Sequence, residues 1–214
     1  MSKAEATRER ILDAALEEFS AYGIAGARVD RIARNAGCNK NLIYIYFENK
    51  EKLFTTVLQR HLADVNLKMP FTPADLPGFA GKVYDFAMAH PQIIRLLAWS
   101  TLDQSAQLPP SRAGSFRDMA ATVADAQREG LVNPAFAPEF LVTTLMAIAT
   151  SWSPAFPFGT STRQPDPEVL REDVVKAITL LVRPHAATEE GTDQAHASGT
   201  PESGSEAPNE RRRR

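Results

Sequence analysis

Residues 37–47 read G-C-N-K-N-L-I-Y-I-Y-F, and K-E-K-L follows at 50–53. A core helix of this length would carry aliphatic residues throughout, yet this one opens on Asn-Lys-Asn and holds two tyrosines. Upstream, V-D-R-I-A-R-N-A-G places Val29, Ile32, Ala33 and Ala36 on one helical face, and Gly37 supplies a C-terminal stop. Asn39 is a good N-cap for the next helix, which closes near Phe47. Two short helices joined only by Gly37-Cys38-Asn39 make a helix-turn-helix pattern, in which the second helix offers its N-terminal and outward residues to a DNA major groove.

The chemistry of the stretch suits that use. Asn39, Lys40 and Asn41 bring amide and ammonium donors to a helix N-terminus, where free backbone N–H groups favour phosphate or base-edge contacts. Leu42, Ile43 and Phe47 are spaced to anchor the helix, and Leu42 also suits a thymine methyl. Tyr44 and Tyr46 put hydroxyl tips on rigid rings within reach of phosphate oxygens, and Lys50 adds a cation near the same backbone. The alternative for the tyrosines is ordinary surface packing. Cys38 reads either as a small half-buried turn residue or as a redox-sensitive thiol.

Working outward, Ile11, Leu12, Ala15, Leu16 and Phe19 share a face of a first helix that Gly23 ends. Asn49 caps a fourth helix running to about Lys68. Beyond the P-F-T-P break, helical periodicity predicts further helices at about 74–89, 91–103, 112–129, 138–152 and 167–182, with no alternating strand pattern. The expected architecture is all-α with about nine helices. Its parts are an N-terminal three-helix helix-turn-helix domain (1–50), a helical ligand-binding and dimerisation domain (51–184) and a disordered tail (185–214). The tail is rich in Glu, Gly, Ser, Thr, Pro and Ala and ends in Arg211–Arg214, either a solvated run or a source of nonspecific DNA affinity.

Composition bounds the function. One cysteine among 214 residues cannot build a disulfide framework or a cysteine zinc site within one chain, which fits a reducing cytoplasm. The N-terminus lacks the apolar core of a signal peptide, and no apolar run is long enough to span a membrane. Residues 1–60 carry ten lysines and arginines against eight acids, and the remainder fourteen against eighteen, so DNA affinity must come from local placement of donors. His61, His90, His185 and His196 are scattered and no catalytic motif appears; catalytic, metal and cofactor sites are all expected to be absent. An all-helical enzyme and an architectural or ligand-independent DNA-binding protein are the rival classes. The latter would call for a strongly basic chain without a large apolar second domain.

These residues resemble the TetR family of bacterial regulators. The family pattern I-L-x-A-A-x-x-x-F, a glycine, I-A-x-x-A-G, then L-Y-x-(Y/H)-F and K-x-x-L is matched by Ile11-Leu12, Ala14-Ala15, Phe19, Gly23, Ile32-Ala33, Ala36-Gly37, Tyr44, Tyr46-Phe47, Lys50 and Leu53. The chain departs from it at Arg28 and Leu42, where a threonine or small residue is usual, and at Asn39, where Ser or Thr is. Arg28 gives up a hydroxyl cap and gains a cation facing the DNA backbone. The resemblance implies a homodimer on a palindromic operator, released by a small, largely apolar effector, with repression rather than activation. In the C-terminal region the expected dimer interface is a four-helix bundle through Leu141, Leu145, Ile148, Val174, Ile178 and Leu181. An adaptable apolar pocket is expected from Phe79, Phe86, Trp99, Phe116, Met119, Met146 and Trp152.

Overall fold

The computed structural model describes residues 2–102, 110–156 and 165–184, and of residues 63–68 and 110–114 the backbone alone. The expected tail, residues 185–214, lies outside the described residues. Nine α-helices occur among the described residues: α1 (Lys3–Gly26), α2 (Val29–Asn35), α3 (Lys40–Phe47), α4 (Lys50–Lys68), α5 (Leu76–Ala89), α6 (Pro91–Leu102), α7 (Pro110–Arg128), α8 (Pro138–Thr150) and α9 (Pro167–Val182). A 3-10 turn, Pro73–Asp75, leads into α5. The residues up to Pro184 form one compact unit holding two apolar clusters.

The first cluster is built on α1. A capping box starts that helix: Ser2 Oγ accepts from the Glu5 N–H at 3.2 Å, and Glu5 Oε2 accepts from the Ser2 N–H at 2.6 Å. Its predicted apolar face is buried, together with Ile32, Ala33, Ile43, Phe47 and the α4 residues Leu53, Phe54, Val57 and Leu58. Phe19 meets Phe54 edge to face at 5.2 Å. Ile93 and Leu96 of α6 belong to this cluster as well, so a helix remote in sequence completes the N-terminal core.

Gly23 does not end α1; the helix bends there and resumes to Gly26, with Gly23 at φ 66°, ψ −178°. That break opens the i→i−4 ladder. Trp99 of α6 fills the place, donating its indole N–H to the Ser20 carbonyl at 3.3 Å. A Cβ on Gly23 would stand 2.9 Å from the Trp99 ring, so this residue is glycine on two counts, its positive φ and the ring above it.

The second cluster joins α5, α7, α8 and α9 through Leu76, Phe79, Val83, Val123, Leu141, Leu145, Leu170, Val174 and Ile178. Polar ties are few. The Tyr84 hydroxyl donates to the Pro167 carbonyl at 3.1 Å, and Arg171 Nε to both Asp85 oxygens at 2.9 Å. The Gln127 amide donates to the Asn133 and Phe136 carbonyls at 2.9 and 2.8 Å and closes the turn between α7 and α8.

Candidate DNA-binding site

The helix-turn-helix is held from behind by α1. Arg28 precedes α2 but its side chain makes no cap; the cap comes from Glu18, whose Oε1 accepts the Arg28 N–H at 2.7 Å. Glu18 is only 4% exposed and also takes Arg31 Nε at 2.9 Å and an Arg31 terminal nitrogen at 2.7 Å. Burial alone would raise this carboxyl's pKa, but the Arg31 hydrogen bond, the Arg28 N–H and both guanidinium charges overcome it and hold the group below its usual value. Arg31 in turn lies over the Tyr22 ring, 4.2 Å from its centre. At the other end of α2, Arg10 Nε donates to the Ala36 carbonyl at 3.0 Å. Gly37, at φ 63°, then turns the chain, and the Cys38 N–H reaches back to the Ala33 carbonyl at 3.0 Å. Burial pushes the Cys38 thiol pKa up, against a smaller opposing pull from Arg10, so the thiol form is favoured.

The reader helix α3 begins as the sequence predicts, with Asn39 Oδ1 accepting the Asn41 N–H at 2.9 Å. Ile43 and Phe47 are buried, while Lys40, Asn41 and Tyr44 are exposed. Leu42 and Tyr46 are half-buried, and Tyr46 packs edge-on against Phe47 at 6.1 Å. Lys40 is paired with Asp30 of α2 at 2.9 Å, a contact that raises the ammonium's pKa. Lys50 is drawn back toward the α1–α2 connection, its ammonium 3.5 Å from the Ala27 carbonyl, which leaves capacity in a group with three donors. Arg28 is exposed. The chain leaves α3 through a γ-turn: Glu48 sits at φ 64°, ψ −52°, and the Asn49 N–H bonds the Phe47 carbonyl at 2.7 Å.

Sequence reasoning missed three features. The buried cap Glu18 carries no local signal that separates it from its exposed neighbour Glu17. The Trp99–Gly23 contact joins residues 76 positions apart and left no local trace. Ile45 was assigned no role by the sequence, yet it is 72% exposed.

In the C-terminal region two expected residue sets can be placed. Leu141, Leu145, Val174 and Ile178, expected at a dimer interface, are buried inside the protomer, because α8 and α9 turn those faces onto α5; Ile148 and Leu181 are half-buried. The apolar groups left outside are Phe140, Val169 and Leu180, at 51, 50 and 63% exposure. The expected pocket residues divide between the two clusters and the α7–α8 hollow. Phe79 is core, edge-on to Phe71 at 5.1 Å; Phe86 packs on the N-terminal cluster; Trp99 covers Gly23; Met119, Met146 and Trp152 pack around the second cluster. A cavity of about 10 Å³ lies among Leu76, Val123, Leu141 and Ile178, room for one water at most. A larger hollow of about 180 Å³ opens between α7 and α8, with Phe116, Ala120, Ala124 and Pro138 on its walls and Arg117 and Glu139 among its lining. Among the described residues no group of His, Cys, Asp and Glu is placed to hold a metal, and no helix is long and apolar enough to cross a membrane.

A braced helix-turn-helix whose second helix leaves Lys40, Asn41, Tyr44 and Ile45 uncovered, joined to a second helical cluster, has the form of a DNA-binding regulator. Comparison with known proteins makes the assignment specific. Residues 11–57 match the family of bacterial regulatory proteins named for tetR, and residues 75–183 match the tetracyclin repressor-like C-terminal domain. The HTH-type transcriptional repressor SCO4008 of Streptomyces coelicolor is 39% identical over 156 residues, which cover 72% of this chain and 81% of that protein. The HTH-type transcriptional repressor NicS of Pseudomonas putida is 36% identical over 109 residues, 48% of this chain and 51% of that protein. A solved structure of a Streptomyces coelicolor transcriptional regulator, SCO4942, superposes with a TM-score of 0.73 at 37% identity, covering 83% of this chain and 99% of that one. The chain belongs to the tetR family. It is a DNA-binding transcription factor and not an enzyme.

Proposed function

We propose that this protein is a cytoplasmic homodimeric repressor that holds a palindromic operator and leaves it when a small, largely apolar molecule binds the C-terminal helices. Residues 1–50 serve as the DNA-binding part and 51–184 as the effector and dimerisation part. The observation that carries the DNA half is the division of α3: Ile43 and Phe47 lock it to the core, while Lys40, Asn41 and Tyr44 stand uncovered. Asn41 supplies base-edge contacts, and Lys40, Tyr44, Tyr46, Arg28 and Lys50 supply phosphate contacts. That SCO4008 and NicS are both transcriptional repressors supports repression.

Two copies meet through the outer faces of α8 and α9, where Phe140, Val169 and Leu180 lie, placing the two readers about 34–36 Å apart, one DNA turn. The effector enters at the α7–α8 hollow against Phe116 and wedges the helices apart, since the core itself is closed. α4 and α6 carry the change, α6 through the Trp99 ring resting on Gly23. Release follows only if the effector favours the displaced form by a few kcal/mol. Mobility shifts of the full chain on the DNA upstream of its own gene test this. A two-fold, sequence-selective complex that one member of a metabolite panel dissolves is the expected result; a complex indifferent to sequence contradicts the operator half, and one that no small molecule alters contradicts the effector half.

A further inference from the structure

The position of Ile45 says more about the operator. At about 100° per residue, Ile45 lies nearly opposite the midpoint between buried Ile43 and Phe47, with Asn41 one turn before it on the same outward line. Tyr44 and Tyr46 fall on the two flanks, each roughly a quarter-turn from the buried side. A helix lying in a major groove presents its outermost line to the base edges and its flanks to the phosphates of the two strands. The tyrosines and Lys40 therefore meet the walls, and Ile45 and Asn41 meet the floor.

An isoleucine on the floor can neither give nor accept a hydrogen bond. Among the features of unmodified bases in the major groove, the one it complements is the C5 methyl of thymine. A single exposed aliphatic is ordinary on a protein surface, but here it occupies the position on this helix that would reach deepest into the groove. We propose that Ile45 is a specificity-determining residue: it packs on a thymine methyl once in each half-site, beside the base pair that Asn41 reads.

The inference rests on the DNA-binding reading, and the test separates the two. An operator is first selected from a random-sequence duplex library with the full-length protein, and each of its thymines is then replaced by uracil, which removes only the methyl. The wild-type protein loses roughly fourfold in affinity per methyl removed at one symmetric pair of thymines. Ile45→Ala binds the unmodified operator more weakly, loses the uracil effect at that pair alone, and keeps a melting temperature close to that of wild type because the side chain is largely exposed in the free chain. Ile45→Val retains part of the effect. If uracil weakens wild type and Ile45→Ala equally at every thymine, the assignment of Ile45 is overturned. If no sequence-selective duplex is recovered, the operator reading falls and this proposal with it.

Discussion

The two apolar clusters are built on different terms. Around α1, burial of Ile11, Leu12 and Phe19 is supplemented by fitted pieces: a buried carboxylate capping α2, an arginine closing its far end, and an indole lodged on a glycine. Around α5, packing of aliphatic and aromatic side chains dominates, the Tyr84 and Gln127 hydrogen bonds tie chain segments together, and the side-chain ion pair between Arg171 and Asp85 is exposed. Fitted contacts resist substitution, whereas packing of branched and unbranched aliphatics accepts any set of about the right volume. On the proposed function, the half that would hold two readers at a fixed spacing is thus over-determined, and the half that would answer an effector is permissive.

The sharpest way to break this contrast is at Gly23. Gly23→Ala places a Cβ against Trp99 and forces a left-handed backbone, and is expected to cost about 3 kcal/mol in chemical denaturation. A cost near zero would mean the α1–α6 joint is loose. Next is Glu18→Gln, expected to lose about 2 kcal/mol at neutral pH as the charge-assisted bonds from the Arg28 N–H and both Arg31 nitrogens weaken. Because folding lowers this carboxyl's pKa, its contribution is complete above the ordinary carboxylate range and is lost as pH falls through the lower folded value. The stability gap between wild type and Glu18→Gln should therefore close in acid; a gap constant with pH removes the ionic explanation. On the permissive side, Leu145→Met, fully inside the second cluster, is expected to cost only about 1 kcal/mol and to leave operator affinity unchanged. Smallest is Glu48→Gly, which relieves the positive φ between reader and α4 but gives up the Glu48–Lys52 pair, for a net gain of about 0.5 kcal/mol in thermal melts.

The same contrast explains what could be read without coordinates. Periodicity marks helices wherever one face is buried, so α3 and α9 were legible nearly to the residue, and Asn39 and Gly37 announced the turn by local chemistry alone. Nothing local tells Glu18 from Glu17: they are neighbours, and which one meets Arg31 is decided by how α1 and α2 cross. In the C-terminal helices, apolar residues on more than one face could not be sorted into core, interface and pocket, because Leu141 and Phe140 differ only in the direction α5 lies. The reader's own composition hid Ile45, since an aliphatic on a short amphipathic helix is usually an anchor.

The central claim is that α3 enters the major groove of DNA in two copies one helical turn apart. Guanine N7 methylation protection on the selected operator tests it directly, because that atom lies in the major groove. Two protected patches centred about 10 base pairs apart are the predicted result. Protection of a single patch, or full occupancy of the DNA with every guanine N7 still reactive, would contradict it.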